Sequence, residues 1–249
     1  LMHQWWWHFY DRYEGWIHRK ANHNFFISAE DMEFAIRQYR LSSQRCSIAT
    51  YGIEEKKITE PKNITRKKIG LNEEENILLF NGTLDYKPNY DAVMTLADIV
   101  EPILRKAGVH YRIIITGNRA PADLVKKMLS NDRITYIGYA EDVDLYYQAA
   151  DLFLNPVTND SGVKTKVIEA IANNCSVVST ESGISGIAME TCANKIYTIK
   201  DHDWKKFAEI VLQQLSVQQP DTDDSFYEYY SWKKITGNVS KIIEQVAHE

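Results

Sequence analysis

Residues 151–170 read DLFLNPVTNDSGVKTKVIEA. DLFLNPV is an apolar run of strand length. The chain then turns polar and passes through Gly162. It resumes as a helix in which Val167, Ile168 and Ala170 are apolar around Glu169. Lys164 and Lys166 sit where the loop becomes the helix. A buried strand leading through a glycine turn into a helix is the repeating unit of a parallel sheet covered on both faces.

The same alternation runs outward in both directions. ENILLFNG (75–82) is a short apolar strand ending on Asn-Gly. In 88–108, Val93, Leu96, Ala97, Val100, Ile103 and Leu104 recur at helical spacing, and Gly108 can end the helix. YRIIITGN (111–118) and RITYIGY (133–139) are further strands that reach a glycine. PADLVKKML (121–129) and EDVDLYYQAA (141–150) are short helices. SVVST (176–180) and NKIYTIK (194–200) complete six strands. The pattern predicts an α/β fold with a doubly wound parallel sheet, a Rossmann-like domain over 76–215.

The ends read differently. NHNFFIS, AEDMEFAIRQYR and CSIATYGI make one βαβ unit within residues 1–55, too small to bury a sheet by itself. We read it as the remnant of a first Rossmann-like domain whose body lies outside this stretch, because half a Rossmann unit is hard to stabilise alone; the alternative is a small all-in-one domain with an N-terminal extension. Residues 56–75 are charged and apolar-poor and read as a linker. Residues 216–249 close the chain with a helix that carries aromatics on one side.

The 249 residues carry a net charge of −5 and three cysteines, Cys46, Cys175 and Cys192. An acidic chain argues against a nucleic-acid partner, which wants a broad basic surface. Three dispersed cysteines form neither a metal motif nor a disulfide framework, which fits a reducing compartment. No apolar run approaches the ~20 residues that span a bilayer. The expected location is cytoplasmic, including the inner face of the membrane.

In an open parallel sheet ligands bind beyond the carboxyl ends of the strands, where helix N-termini attract anions. The loop at Gly162 occupies such a place. Its glycine admits close approach, Lys164 and Lys166 suit a diphosphate, and Glu169 suits the hydroxyls of a ribose. The same residues also describe a capped helix with solvated lysines, and this stretch alone does not separate the two.

Five segments together carry a resemblance: FNGTLDYKPNYDAV, RIIITGN, ITYIGYAEDVDLYYQAADLFLNPV, SGVKTKVIEAIANNCSVVST and SGISGI. In this order they resemble the C-terminal domain of group 1 (family 4) retaining glycosyltransferases of GT-B fold. The resemblance is clear over 76–187 and weaker at both ends. It implies a nucleotide diphosphate sugar as donor, a saccharide or lipid-linked acceptor, no cofactor and no metal. It implies donor-binding positions at Gly82, Thr83, Lys87, Gly117, Gly138, Tyr139, Ser161, Gly162, Val163, Lys164, Lys166 and Glu169. In that family two glutamates stand eight positions apart. Glu169 matches the second, which contacts the ribose, and Ser161 stands in place of the first. Thr83 replaces an arginine, Lys87 falls one position short of the usual lysine, and Asn174 stands where a helix-ending glycine is usual. Diphosphate neutralisation is therefore expected from Lys164, Lys166 and Lys87. No catalytic residue is assigned.

Other features have plainer readings. Asp142 and Asp144 resemble a metal-binding Asp-x-Asp, but at a helix start they are expected to cap it. His3, His8, His18 and His23 lack ligand spacing. Trp5, Phe9, Tyr13 and Trp16 share one helical face. That face suits packing on the rest of a first domain, or a peripheral membrane contact near a lipid acceptor. Two other functions share the architecture: a sugar-nucleotide epimerase and a non-catalytic nucleotide-sugar-binding module.

Overall fold

Six short apolar runs become six parallel strands in the computed structural model. The structure describes residues 2–54, 60–159, 162–192 and 195–248, with side chains from Trp6 onward. The chain divides into two units, 1–54 with 228–249, and 55–227.

The larger unit holds β3 (Asn76–Asn81), β4 (Tyr111–Thr116), β5 (Ile134–Gly138), β6 (Leu152–Asn155), β7 (Ser176–Thr180) and β8 (Ile196–Ile199). Their order is β5-β4-β3-β6-β7-β8, with α6 (Ala122–Leu129) between β4 and β5 and α9 (Trp204–Leu215) after β8. Ile77, Leu78, Leu79, Phe80, Ile113, Ile114, Ile115, Leu152, Phe153, Leu154, Val177 and Val178 are all buried, as a sheet covered on both faces requires. Winding proceeds outward from β3 through β5, then resumes on its other side at β6. The pair β3 and β6 is therefore the switch point, where loops diverge and leave a crevice.

The helix after β3 runs as α4 (Lys87–Thr95), a π-turn at Leu96–Val100, and α5 (Glu101–Lys106). Glu101 N–H reaches back to the Leu96 carbonyl. The wider turn admits Pro102, which has no N–H and whose ring would otherwise meet the carbonyl of Asp98. Ala92, Val93, Leu96, Ala97, Val100 and Leu104 form its buried stripe, and Gly108 follows at φ 71°.

The segment expected as a linker contains a helix, α3 (Lys62–Lys68). Its Arg66 is buried and bonds the carbonyls of Ala149, Glu73 and Glu75 and the carboxylate of Asp151. A solvated linker would leave that guanidinium in water. Here tertiary partners satisfy it and fix the helix.

In the smaller unit, α1 (Met2–Lys20) precedes β1 (Asn24–Phe26), α2 (Ala29–Tyr39) and β2 (Cys46–Ile48). The two strands pair in parallel. Ser28 caps α2 by accepting from Asp31 N–H. Phe9, Tyr13 and Trp16 lie exposed along α1, with Phe9 and Tyr13 stacked at 6.3 Å and Trp6 edge-on to Phe9 at 6.1 Å. The side chains of His3 and Trp5 lie outside the described residues. The closing segment, expected as one helix, is two: α10 (Asp224–Tyr230) and α11 (Trp232–Ala247). The break falls at Ser231, which caps α11 through Lys234 N–H and bridges to Ile53. Ile53 N–H donates to Tyr230 O and Ile53 O accepts from Trp232 N–H, so that backbone is spent on strand pairing rather than on a helix.

Candidate functional site

The carboxyl ends of β3 and β6 open onto two adjoining cavities within the larger unit. One, about 250 Å³, lies between the loop after β3 and the start of α8 (Thr165–Ala172). The other, about 420 Å³, is walled by the loops after β3, β4 and β5. Thr83, Thr165 and Lys166 line both, so Lys166 stands at their seam.

Gly82, Thr83, Gly117, Tyr139, Lys166 and Glu169 line the larger cavity. Thr83, Val163, Lys164 and Lys166 line the smaller. Tyr139 is 72% exposed at the rim, where a flat ligand group could stack on it. Gly138 ends β5, and its carbonyl accepts from Gly117 N–H at 2.8 Å, tying the two loops together. Gly162 has φ 79°, a left-handed turn that redirects the chain into α8. Ser161 lies outside the described residues.

The three lysines expected to neutralise a diphosphate separate in space. Lys164 is buried, and its Nζ donates to Gly162 O at 2.9 Å, closing its own loop. Lys87 is exposed and pairs with Asp91 at 2.7 Å along α4, lining neither cavity. Lys166 reaches the seam, donating to Asn89 Oδ1 at 2.7 Å, with the Phe80 ring 5.8 Å away. Glu169 follows it by three residues on α8, so one helical face carries both groups.

Beneath the larger cavity runs a buried polar chain. Thr116 Oγ1 donates to Asn81 Oδ1 at 3.2 Å, and Asn81 Nδ2 donates to Tyr147 OH at 3.1 Å. Burial, and then the nearby Glu169 carboxylate, hold the Tyr147 phenol well above its ordinary 10. It stays protonated, a fixed dipole at the floor. Further along, Asn155 Nδ2 donates to Ser179 Oγ and Gly183 O, binding the end of β6 to the SGISGI turn.

Sequence reading missed Asn89 and Asn81. Asn89 had a signal: it stands three and four residues before Ala92 and Val93, so it extends the inward stripe of α4 by one turn with a polar group. Asp142 accepts from Asp144 N–H and caps α7 (Val143–Ala149), while Asp144 accepts from Asn173. Asn174 takes the left-handed conformation, φ 59°, expected at a helix-ending position. Among the described residues no three His, Cys, Asp or Glu side chains gather as a metal site would require. A third cavity, about 380 Å³, lies at the opposite, amino ends of β3 and β6. Its lining groups bond one another, as Gln148 does Asn173 and Lys62 does Asp151.

The glycine-lined cleft lies at the switch point of a Rossmann-type sheet, the place where open parallel sheets in general hold their ligands. Residues 75–216 match the family described as Glycosyl transferases group 1. That is more than half of the sequence, and the chain belongs to this family. A Klebsiella pneumoniae protein named as an uncharacterized 44.6 kDa protein in the cps region is 30% identical over 116 residues, 44% of this chain and 30% of that protein. The match therefore spans less than a third of that relative's length. Among solved structures, a glycosyltransferase from Rickettsia africae ESF-5 superposes with a TM-score of 0.74 at 13% identity, over 96% of this chain and 67% of that one. Anabaena Alr3699/HepE, solved in complex with UDP and glucose, gives 0.70 at 15% identity, over 94% of this chain and 66% of that one. The fold shared with such structures is that of GT-B glycosyltransferases.

Proposed function

We propose that this chain is the donor-binding part of an enzyme that transfers a sugar from a nucleotide diphosphate sugar to a saccharide or lipid-linked acceptor, with retention at the anomeric carbon. The observation that carries the reading is the pairing of Lys166 and Glu169 on one face of α8 at the switch-point cleft. An ammonium at the seam suits the diphosphate, and a carboxylate one turn further suits the ribose hydroxyls. Catalysis then consists of positioning the donor and stabilising the departing diphosphate as charge builds on it. HepE, with UDP and glucose bound, supports a nucleotide-sugar donor. No metal is invoked, because Lys166 and the loop amides supply the positive charge.

Thermal shift against UDP, GDP, ADP and CMP tests this directly. A nucleotide at one hundred times its dissociation constant adds about 2.7 kcal/mol of stability. Glu169→Ala is expected to weaken the nucleotide that binds by at least ~1.5 kcal/mol. Unchanged affinity in that variant overturns the ribose assignment. Turnover of donor without acceptor would instead point to an epimerase. Product stereochemistry by NMR decides retention.

The exposed aromatic face of α1 is the surface this reading gives to membrane contact. No helix among the described residues is long and apolar enough to cross a membrane. Flotation with anionic liposomes is expected to carry the protein upward, and Trp16→Ser to leave more of it at the bottom. Equal flotation of the two proteins removes that surface from the proposal.

A further inference from the structure

We propose that Asn89 is a positioning residue that holds the Lys166 ammonium at the cavity seam ready for a diphosphate, an inference that rests on the donor-binding reading above. Asn89 is 4% exposed in the first turn of α4. Its carboxamide is used at both ends. Oδ1 accepts from Lys166 Nζ at 2.7 Å, and Nδ2 donates to the Thr83 carbonyl at 2.8 Å. These partners fix the orientation of the amide. Turned over, it would set an NH2 against an ammonium and an oxygen against a carbonyl.

A lysine side chain is long and loses much rotamer freedom when it is held. Asn89 imposes that ordering before any ligand arrives, so binding need not supply it. The Phe80 ring at 5.8 Å bounds the ammonium on its apolar side. Gly82 leaves the room: a Cβ there would come within 2.7 Å of Lys166 Nζ and 2.8 Å of Asn89 Cγ. Through Thr83 O the same amide holds the loop after β3. It thus couples two walls of the cleft, one on α8 and one on the β3 loop. Asn89 makes no contact with ligand in this account and acts through Lys166.

The test is calorimetry on the full chain with UDP, GDP and ADP, and with their nucleosides, for wild type, Asn89→Ala, Lys166→Met and the double variant. Asn89→Ala is expected to weaken the nucleoside diphosphate about threefold to tenfold, and to leave the nucleoside unchanged. In the Lys166→Met background the Asn89 change is expected to add nothing, because its effect runs through that lysine. Asn89→Ser, which keeps a polar group in the buried position but cannot span both partners, gives the same pattern should the alanine variant not fold. Wild-type affinity in Asn89→Ala or Asn89→Ser overturns the proposal. So does an equal loss for nucleoside and diphosphate, or a loss additive with Lys166→Met. If wild type binds none of the three diphosphates, the donor reading falls and this inference with it. If it binds and the coupling is absent, this inference alone falls.

Discussion

Arg66→Met is expected to destabilise the larger unit by about 3–5 kcal/mol, the range for removing one partner of a buried, hydrogen-bonded charge pair. The guanidinium donates from Nε to Ala149 O at 2.9 Å. Nη1 donates to Glu73 O and Glu75 O, both at 3.2 Å, and Nη2 to Asp151 Oδ2 at 2.6 Å. Asp151 also accepts from Ile77 N–H at 2.7 Å and pairs with Lys62. One side chain therefore joins α3, the segment leading into β3, the end of α7 and the approach to β6. Methionine fills part of the space and bonds to none of these oxygens. Three carbonyls lose a donor and Asp151 loses its shorter cation. Lysine does not rescue the site, since a single ammonium cannot serve four oxygens spread around a planar fork. Hydrogen exchange read on peptides of β3 is the measurement. Because β3 lies at the centre of the sheet, its protection reports the opening of the whole unit. Unchanged protection in Arg66→Met would show that the fork contributes no stability.

This residue also marks a limit of what the sequence discloses. The six strands of the sheet were legible because burial on both faces demands unbroken apolar runs, and such runs are local. ENILLFNG and SVVST needed nothing beyond themselves. Arg66 is a charge among charges, and its burial depends on carbonyls from Glu73, Glu75 and Ala149 that only the folded chain assembles. The break at Ser231 is similar. Local propensity favours one long helix there, and pairing with Ile53 overrides it. Within the cleft, spacing and resemblance brought Lys166 and Glu169 to one helical face. They did not reveal that Lys164 turns back on Gly162 O, or that Lys87 pairs with Asp91 instead. Side-chain direction at a loop is settled by neighbours distant in sequence. Asn89 lies between these cases: its inward register was readable, and its partners were not.

The second large effect is expected at Gly117, where three loops of the cleft meet. Its φ of 146° lies where side chains are rarely found. A Cβ there would stand 1.8 Å from the Gly82 carbonyl oxygen, which is backbone and cannot swing aside. The surroundings are tied as well. Gly117 N–H donates to Gly138 O, Gly82 N–H donates to Thr116 O, and Gly117 O accepts from Tyr136 OH at 3.0 Å. Gly117→Ala must therefore displace the loop after β3, and Gly82 and Thr83 move with it. Strain and overpacking together are expected to cost about 3 kcal/mol. Thr83 O holds Asn89, and Asn89 holds Lys166, so the displacement reaches the diphosphate position. Nucleotide affinity is expected to fall at least about tenfold, the factor that corresponds to ~1.4 kcal/mol. Gly108→Ala is the matched control. It also has a positive φ, 71°, but nothing lies within 4 Å of its added carbon. That variant is expected to lose about 1 kcal/mol of stability from backbone strain alone and to bind nucleotide as before. If Gly117→Ala keeps wild-type affinity while losing stability, the loops can part without disturbing the seam, and the cleft is less tightly coupled than its hydrogen bonds imply. If the two alanine variants lose stability equally, the contact with Gly82 costs nothing and the conformation of Gly117 accounts for the whole effect.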